Sequence, residues 1–285
     1  MAGSGTTALA AKKAENAAPG YATRLRLAGI PVFNYHGLAE VLREDIREES
    51  RPFWLSPGQF RSHLAAIQAA GFRVAGLAEL RNSGGLARAA VLTFDDGLES
   101  DYTGALPLLR EFGANATFFV NTSTIGQPGY LSWAQLADMA GAGMSIESHS
   151  HRHTDLTVLS PEDLKHDLSV SKQQIEDRLG RGVRFLAPPH GIVNGRVVEM
   201  ALAAGYEAVC STRCLPARPG RKVITRITLR RDMQLEEFHG LLAGRAYSYA
   251  RRLSPGLIYR PLGMASHVLQ LLRYRWLKQT VPVSK

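Results

Sequence analysis

Ala89-Ala90-Val91-Leu92-Thr93-Phe94-Asp95-Asp96-Gly97 is the stretch that decides the fold. Its first six residues make the short, nearly continuous apolar run of a strand buried on both faces. The run ends abruptly in two carboxylates and a glycine. Leu98–Phe112 then reads as a helix, and Ala116–Val120 is again rich in β-forming residues. Strand, helix and strand in this order predict parallel strands joined by a helical crossover.

The alternation continues in both directions. Upstream, Pro31–Tyr35 predicts a strand, Ser56–Ala70 a helix capped by Ser56 with Pro57 at its first position, and Phe72–Leu77 a strand after Gly71. Downstream, helices are expected over Trp133–Ala142, Pro161–Leu179 and Gly195–Ala204. Strands are expected over Met144–Glu147, Val183–Ala187, Tyr206–Cys210 and Val223–Leu229. The run Ser160-Pro161-Glu162-Asp163 combines an N-cap, a first-turn proline and first-turn acids. Repeated units of this kind, without internal repeats or low-complexity linkers, predict one α/β domain whose parallel strands close, or nearly close, into a barrel.

Bulk properties narrow the field. The chain has 285 residues, 45% hydrophobic and 21% charged, an ordinary globular mix. No stretch approaches the roughly 18 consecutive apolar residues of a membrane-spanning helix. Cys210 and Cys214 are the only cysteines, too few for a disulfide scaffold; they could pair, join a metal site or stay reduced.

The net charge of +9 is unevenly placed. From Arg245 onward there are eight basic residues and no acidic ones, so the preceding part is almost neutral. Met264, Val268, Leu271, Leu272 and Trp276 recur there at roughly helical spacing beside Arg273, Arg275 and Lys278. This composition fits peripheral contact with an anionic membrane, or a helix packed on the barrel with its basic side in water. A nucleic-acid partner is not expected. Thr6–Ala11 is too short and weakly apolar for the core of a secretory signal, which sets a cytoplasmic expectation, at the inner face of the membrane. The expected organisation is a flexible tail over 1–29, a main domain over 30–245 and a basic, helical extension over 246–285.

Three segments carry chemistry, each just after a predicted strand, where parallel α/β folds build their sites. Asp95 and Asp96 repel one another unless a cation neutralises them, although the pair could also be a solvated loop or a helix cap. His149-Ser150-His151-Arg152-His153 places His149 and His153 four apart, so a curled loop puts both imidazoles on one side. Imidazole and carboxylate together suit a catalytic zinc with an open position. His151 is expected to point away. Ala187-Pro188-Pro189-His190-Gly191 makes a rigid wall at a strand end, or simply a rigid turn.

In order and spacing these segments resemble the polysaccharide deacetylase family, also called the NodB-homology or carbohydrate esterase family 4 domain, over about Pro31 to Leu229. Thr93–Gly97 matches its first motif, Thr-Phe-Asp-Asp-Gly, and His149–His153 its second, His-Ser/Thr-x-x-His. The resemblance implies a distorted (β/α) barrel and a hydrolase that removes N-acetyl groups from sugars in an oligosaccharide, polysaccharide or lipid-linked glycan. It implies one divalent metal, with zinc the expected ion, held by Asp96, His149 and His153. Asp95 would be the general base, and an acid must protonate the departing amine. Two other readings use the same residues: hydrolysis of a non-sugar amide or ester, and an inactive glycan-binding protein.

The match fails at the third motif, usually Arg-x-Pro-Tyr-Gly. Its arginine, which orients the base, is Ala187 here, and its aromatic residue is His190. The late Leu-x-His motif that supplies the acid is not visible after Val223, and His239 lies in a helical context. Val32-Phe33-Asn34-Tyr35-His36-Gly37 instead resembles the N-terminal Tyr-His element of the poly-N-acetylglucosamine deacetylases, relatives that often lack the arginine as well. The implied acid is therefore His36, with His190 next. Arg226 and Arg230, after the last predicted strand, could stand in for the arginine near Asp95, or simply be solvated.

Overall fold

A computed structural model describes residues 26–81 and 86–253. Two compact units are present. Residues 29–238 form the larger one, built on a parallel sheet whose strands are β1 (Val32–Tyr35), β2 (Arg73–Val74), β3 (Ala89–Phe94), β4 (Thr117–Val120), β5 (Ser145–Ser148), β6 (Phe185–Leu186), β7 (Ala208–Ser211), β8 (Val223–Thr225) and β9 (Ile227–Thr228). The path through the sheet is β8-β7-β6-β5-β4-β3-β1-β9, with β2 beside β3. Its two edge strands are consecutive in the chain, separated only by Arg226. The sheet therefore curls into a nearly closed barrel, the expected distorted (β/α) type, with its seam at that residue.

Helices α1 (Pro57–Ala69), α2 (Leu106–Glu111), α3 (Trp133–Gly141), α4 (Pro161–Leu179) and α5 (Gly195–Ala203) form the crossovers. Their starts obey local chemistry. The side chains of Ser56 and Ser132 accept from the backbone N–H of Gln59 and Gln135, whose amides cap in return. Ser160 caps α4, which ends at Gly180 in the left-handed region at φ +63°.

Both faces of β3 are covered, which is why it reads as a nearly unbroken apolar run. On one face Tyr35, Phe94 and Phe118 occupy one row across β1, β3 and β4. Their rings stack in sequence at 5.0 and 4.9 Å, with Phe60 of α1 edge-on to the first two. On the other face Val32, Val91, Phe119, Phe185, Cys210 and Ile224 share a buried cluster. Cys210 and Cys214 are both buried and form no disulfide.

Four elements depart from expectation, each for a local reason. The helix expected over Leu98–Phe112 opens with a π-helical turn, Asp101–Ala105, in which Leu106 N–H reaches back to the Asp101 carbonyl. Pro107, which has no N–H for the usual bond, follows at once. The strand expected over Phe72–Leu77 stops at Val74, because the Glu79 carboxylate captures the Gly76 N–H and turns the chain into the 3₁₀ helix Leu77–Arg81. The strand expected over Val183–Ala187 shrinks to two residues: Arg184 and Phe185 give their N–H groups to the Glu147 carboxylate, both at 2.7 Å. Val223–Leu229 is split at Arg226, so its first half pairs with β7 and its second with β1.

The second unit, among the described residues, comprises 26–28 and 239–253. Leu27 N–H donates to the Gly244 carbonyl at 2.7 Å, and Tyr249 Oη to the Leu241 carbonyl at 2.9 Å. The tail over 1–25 and the basic segment beyond Leu253, on which the expected membrane contact rests, lie outside the described residues.

Candidate active site

The carboxyl ends of β1, β3, β5 and β6 and the β8–β9 seam bring the chemical groups together. Asp96 follows β3 at φ +77°, and Gly97 continues the turn at φ +65°. A Cβ on Gly97 would stand 3.1 Å from Val120 Cγ1, so both the backbone angle and the space favour glycine there. After β5, Ser150 and His153 have φ +72° and +52°, and after β6 His190 has φ +60°. Four of the five non-glycine residues with positive φ among the described residues thus lie in these three segments, a clustering typical of functional sites.

Asp96 Oδ1 lies 3.3 Å from His149 Nε2 and 3.2 Å from His153 Nε2. The two imidazoles are 5.1 Å apart by their centroids. One atom from each of the three residues falls within 4.8 Å of the others. His149 is buried, while the side chains of Asp96 and His153 are each 29% exposed, so one side is open. Two imidazoles and a carboxylate with an open side are a donor set that fits a catalytic divalent metal.

The loop that carries the histidines is held from α4. Buried Asp167 accepts from the backbone N–H groups of His151 and Arg152, and Ser171 Oγ donates to the Ser150 carbonyl. His151 turns away and bonds Thr122 Oγ1 at 2.8 Å, as expected.

Asp95 is buried beneath this cluster. Arg226 Nη1 and Nη2 donate to its Oδ1 and Oδ2 at 2.7 and 2.8 Å, and Asn34 Nδ2 donates to Oδ2 at 3.1 Å. Burial pushes the Asp95 carboxyl up, but the guanidinium and the neighbouring His149 outweigh it and hold the group below its ordinary range. Asp96 is also opposed by burial, yet its bonds to His149 and His153 hold it well below. Burial lowers the His149 pKa, but Asp95 and Asp96 more than reverse this, leaving it raised.

His36, at the end of β1, lies near enough for its charge to lower both carboxyls, with its ring 5.3 Å from that of Phe53. Its Nδ1 is buried without a partner. His190 sets its ring edge-on to His153 at 5.2 Å, and burial, then His153 and His149, lower its pKa. Of the two candidate arginines, Arg226 is fully buried against Asp95, not solvated; Arg230 bonds Asp232 and lies over Phe53. His239 sits in the helix Leu235–Leu242.

Asn34, Asp167, Ser171 and Asp101 escaped the reading of the sequence. Burial, then the charges of Asp96 and Asp95, push the Asp101 carboxyl well up. Asp167 and Ser171 lie four apart on α4, a polar pair within its inward face that could have marked a loop anchor. Asn34 is the one amide within an apolar strand.

Residues 84–209 match the family model described as polysaccharide deacetylase. A peptidoglycan-N-acetylglucosamine deacetylase of Bacillus cereus is 34% identical over 119 residues, 41% of this chain and 54% of the relative. Another, PgdA of Listeria monocytogenes, is 34% identical over 110 residues, 38% of this chain and 22% of the relative. The chain thus spans about half or less of the length of these curated relatives. Among solved structures, the Streptococcus pyogenes deacetylase PplD in complex with acetate superposes with a TM-score of 0.69 at 25% identity, covering 76% of this chain and 99% of that one. IcaB from Ammonifex degensii, at 22% identity, shares the fold with a TM-score of 0.67 over 78% of this chain and 98% of its own.

Proposed function

We propose that the chain, whose residues 84–209 match the polysaccharide deacetylase family, is a member of it and a metal-dependent hydrolase removing N-acetyl groups from a sugar substrate, an oligosaccharide, polysaccharide or lipid-linked glycan. The observation that carries this reading is the convergence of Asp96, His149 and His153 on one point beside a buried, ionised Asp95.

Asp96, His149 and His153 would hold one divalent ion, with zinc the best match to the donor set. Such an ion supplies Lewis-acid polarisation of the acetamide carbonyl and makes water more acidic. The protein's own groups do the rest. Asp95 takes a proton from the attacking water. The amide nitrogen cannot leave as an anion, so an acid must protonate it. His36 is the first candidate and His190 the second. The Ala187–Gly191 segment walls the site with two prolines.

Acetate release from a panel of acetylated glycans, chitooligosaccharides first, by enzyme loaded with zinc, cobalt or nickel tests the proposal. Metal-dependent acetate release from at least one is expected. Release from simple acetyl esters and none from any N-acetyl sugar would replace it with the ester-hydrolase reading.

A further inference from the structure

We infer that Arg226 and Asn34 are positioning residues that choose which oxygen of Asp95 carries out proton transfer, leaving Oδ1 as the working atom. This rests on the reading of Asp95 as the base.

An ionised carboxylate offers about two acceptor sites on each oxygen. Oδ2 of Asp95 receives Arg226 Nη2 at 2.8 Å and Asn34 Nδ2 at 3.1 Å, so both of its sites are taken. Oδ1 receives only Arg226 Nη1, at 2.7 Å, and keeps one site. The two parallel N–H···O bonds also fix the plane of the carboxylate.

Those partners are themselves fixed. Arg226 Nη1 also reaches Asn34 Oδ1 at 3.1 Å and Thr93 Oγ1 at 3.3 Å. Thr93 Oγ1 in turn donates to the Phe33 carbonyl at 3.0 Å. The guanidinium carbon lies over the Phe119 ring, 5.2 Å from its centroid. Its entry point is equally constrained, because Arg226 sits at the seam between β8 and β9 with its N–H bonded to the Ser211 carbonyl at 2.8 Å. A bare buried guanidinium would be costly, and its ion pair among the described residues is with Asp95. The arrangement ties one end of the barrel's last strand to the aiming of one carboxylate.

A double-mutant cycle separates aiming from mere support. In zinc-loaded enzyme, acting on the glycan of highest turnover, Arg226→Met should lower kcat by about 10²–10³-fold, with KM within about threefold. In an Asp95→Asn background the same change should alter kcat by less than about threefold, since its target has already gone. Asn34→Leu should cost less than Arg226→Met and be equally silent in that background. Losses that multiply would show both residues acting on the fold at large, and would overturn the inference. Should Arg226→Met not fold, Arg226→Lys, which keeps the charge and loses the fork, enters the same cycle with the same criterion. Full turnover in Asp95→Asn alone would strike the base reading instead.

Discussion

The ring Nδ1–H of His149 donates to the Ala187 carbonyl at 2.7 Å, so its Nε2 is the nitrogen that faces Asp96 and His153. Position 187 has no arginine side chain to offer, yet its backbone sets the tautomer of a candidate ligand. The first expectation follows. Asp96→Ala, His149→Ala and His153→Ala should each weaken metal binding by about tenfold or more, together with rate. Elemental analysis of purified protein checks this, and a full zinc complement in His149→Ala would remove that residue from the ligand set.

Asp95→Asn should behave differently. It should retain zinc and lose about 10²–10⁴-fold in acetate release, the usual contribution of a general base. Parallel metal and acetate assays decide it; loss of zinc along with rate would make Asp95 a ligand.

His36→Ala should reduce kcat more than His190→Ala does. Burial and two neighbouring imidazoles work against a proton on His190, an unhelpful setting for an acid. His36 stands instead at the end of β1, with its Nδ1 buried and without a partner. Steady-state rates of the two variants, at equal metal content, settle the order, and a larger loss in His190→Ala reverses the assignment.

Glu147 should make stability depend on pH. Burial pushes its carboxyl up to about 7 against the pull of the Phe185 and Arg184 N–H groups, from an ordinary value of 4.5. A folded-state pKa above the unfolded one means that the contribution is fully present below pH 4.5 and is lost as pH rises through about 7. Urea midpoints of the wild type should therefore fall between pH 5 and 8 more steeply than those of Glu147→Gln. A glutamine carbonyl can still accept both N–H groups, and Ser145 Oγ can accept from its amide. Identical slopes would mean that Glu147 titrates in its ordinary range.

Much of this molecule was legible because its signals are local. The caps at Ser56 and Ser160 act within one helical turn, the two motif carboxylates are adjacent in the chain, and the two motif imidazoles fall within one run of five residues. The boundaries that slipped were set by distant partners. Nothing near Val183 announces that Glu147 takes two N–H groups from the strand, and nothing near Val223 announces that the strand splits between two neighbours. The role of Arg226 was likewise hidden, because an arginine after an apolar run looks the same whether it faces water or a carboxylate 131 residues earlier. Asn34 was hidden for a related reason: its contacts lie across the sheet, with Thr93, Asp95 and Arg226.

The seam at Arg226 also imposes a timetable on synthesis. The carboxylate arrives 131 residues before its guanidinium. At about 5–20 residues per second, the ribosome takes roughly 7–26 s to cover that interval. Until then Asp95 lacks its counter-charge and β1 lacks its β9 neighbour, so the emerging barrel is open along one side. A chain interrupted before residue 226 would hold the Asp96, His149 and His153 cluster without an aimed base. On the proposed reading the three-residue cluster can therefore assemble before the base is aimed, and β9, the final strand among the described residues, completes the site.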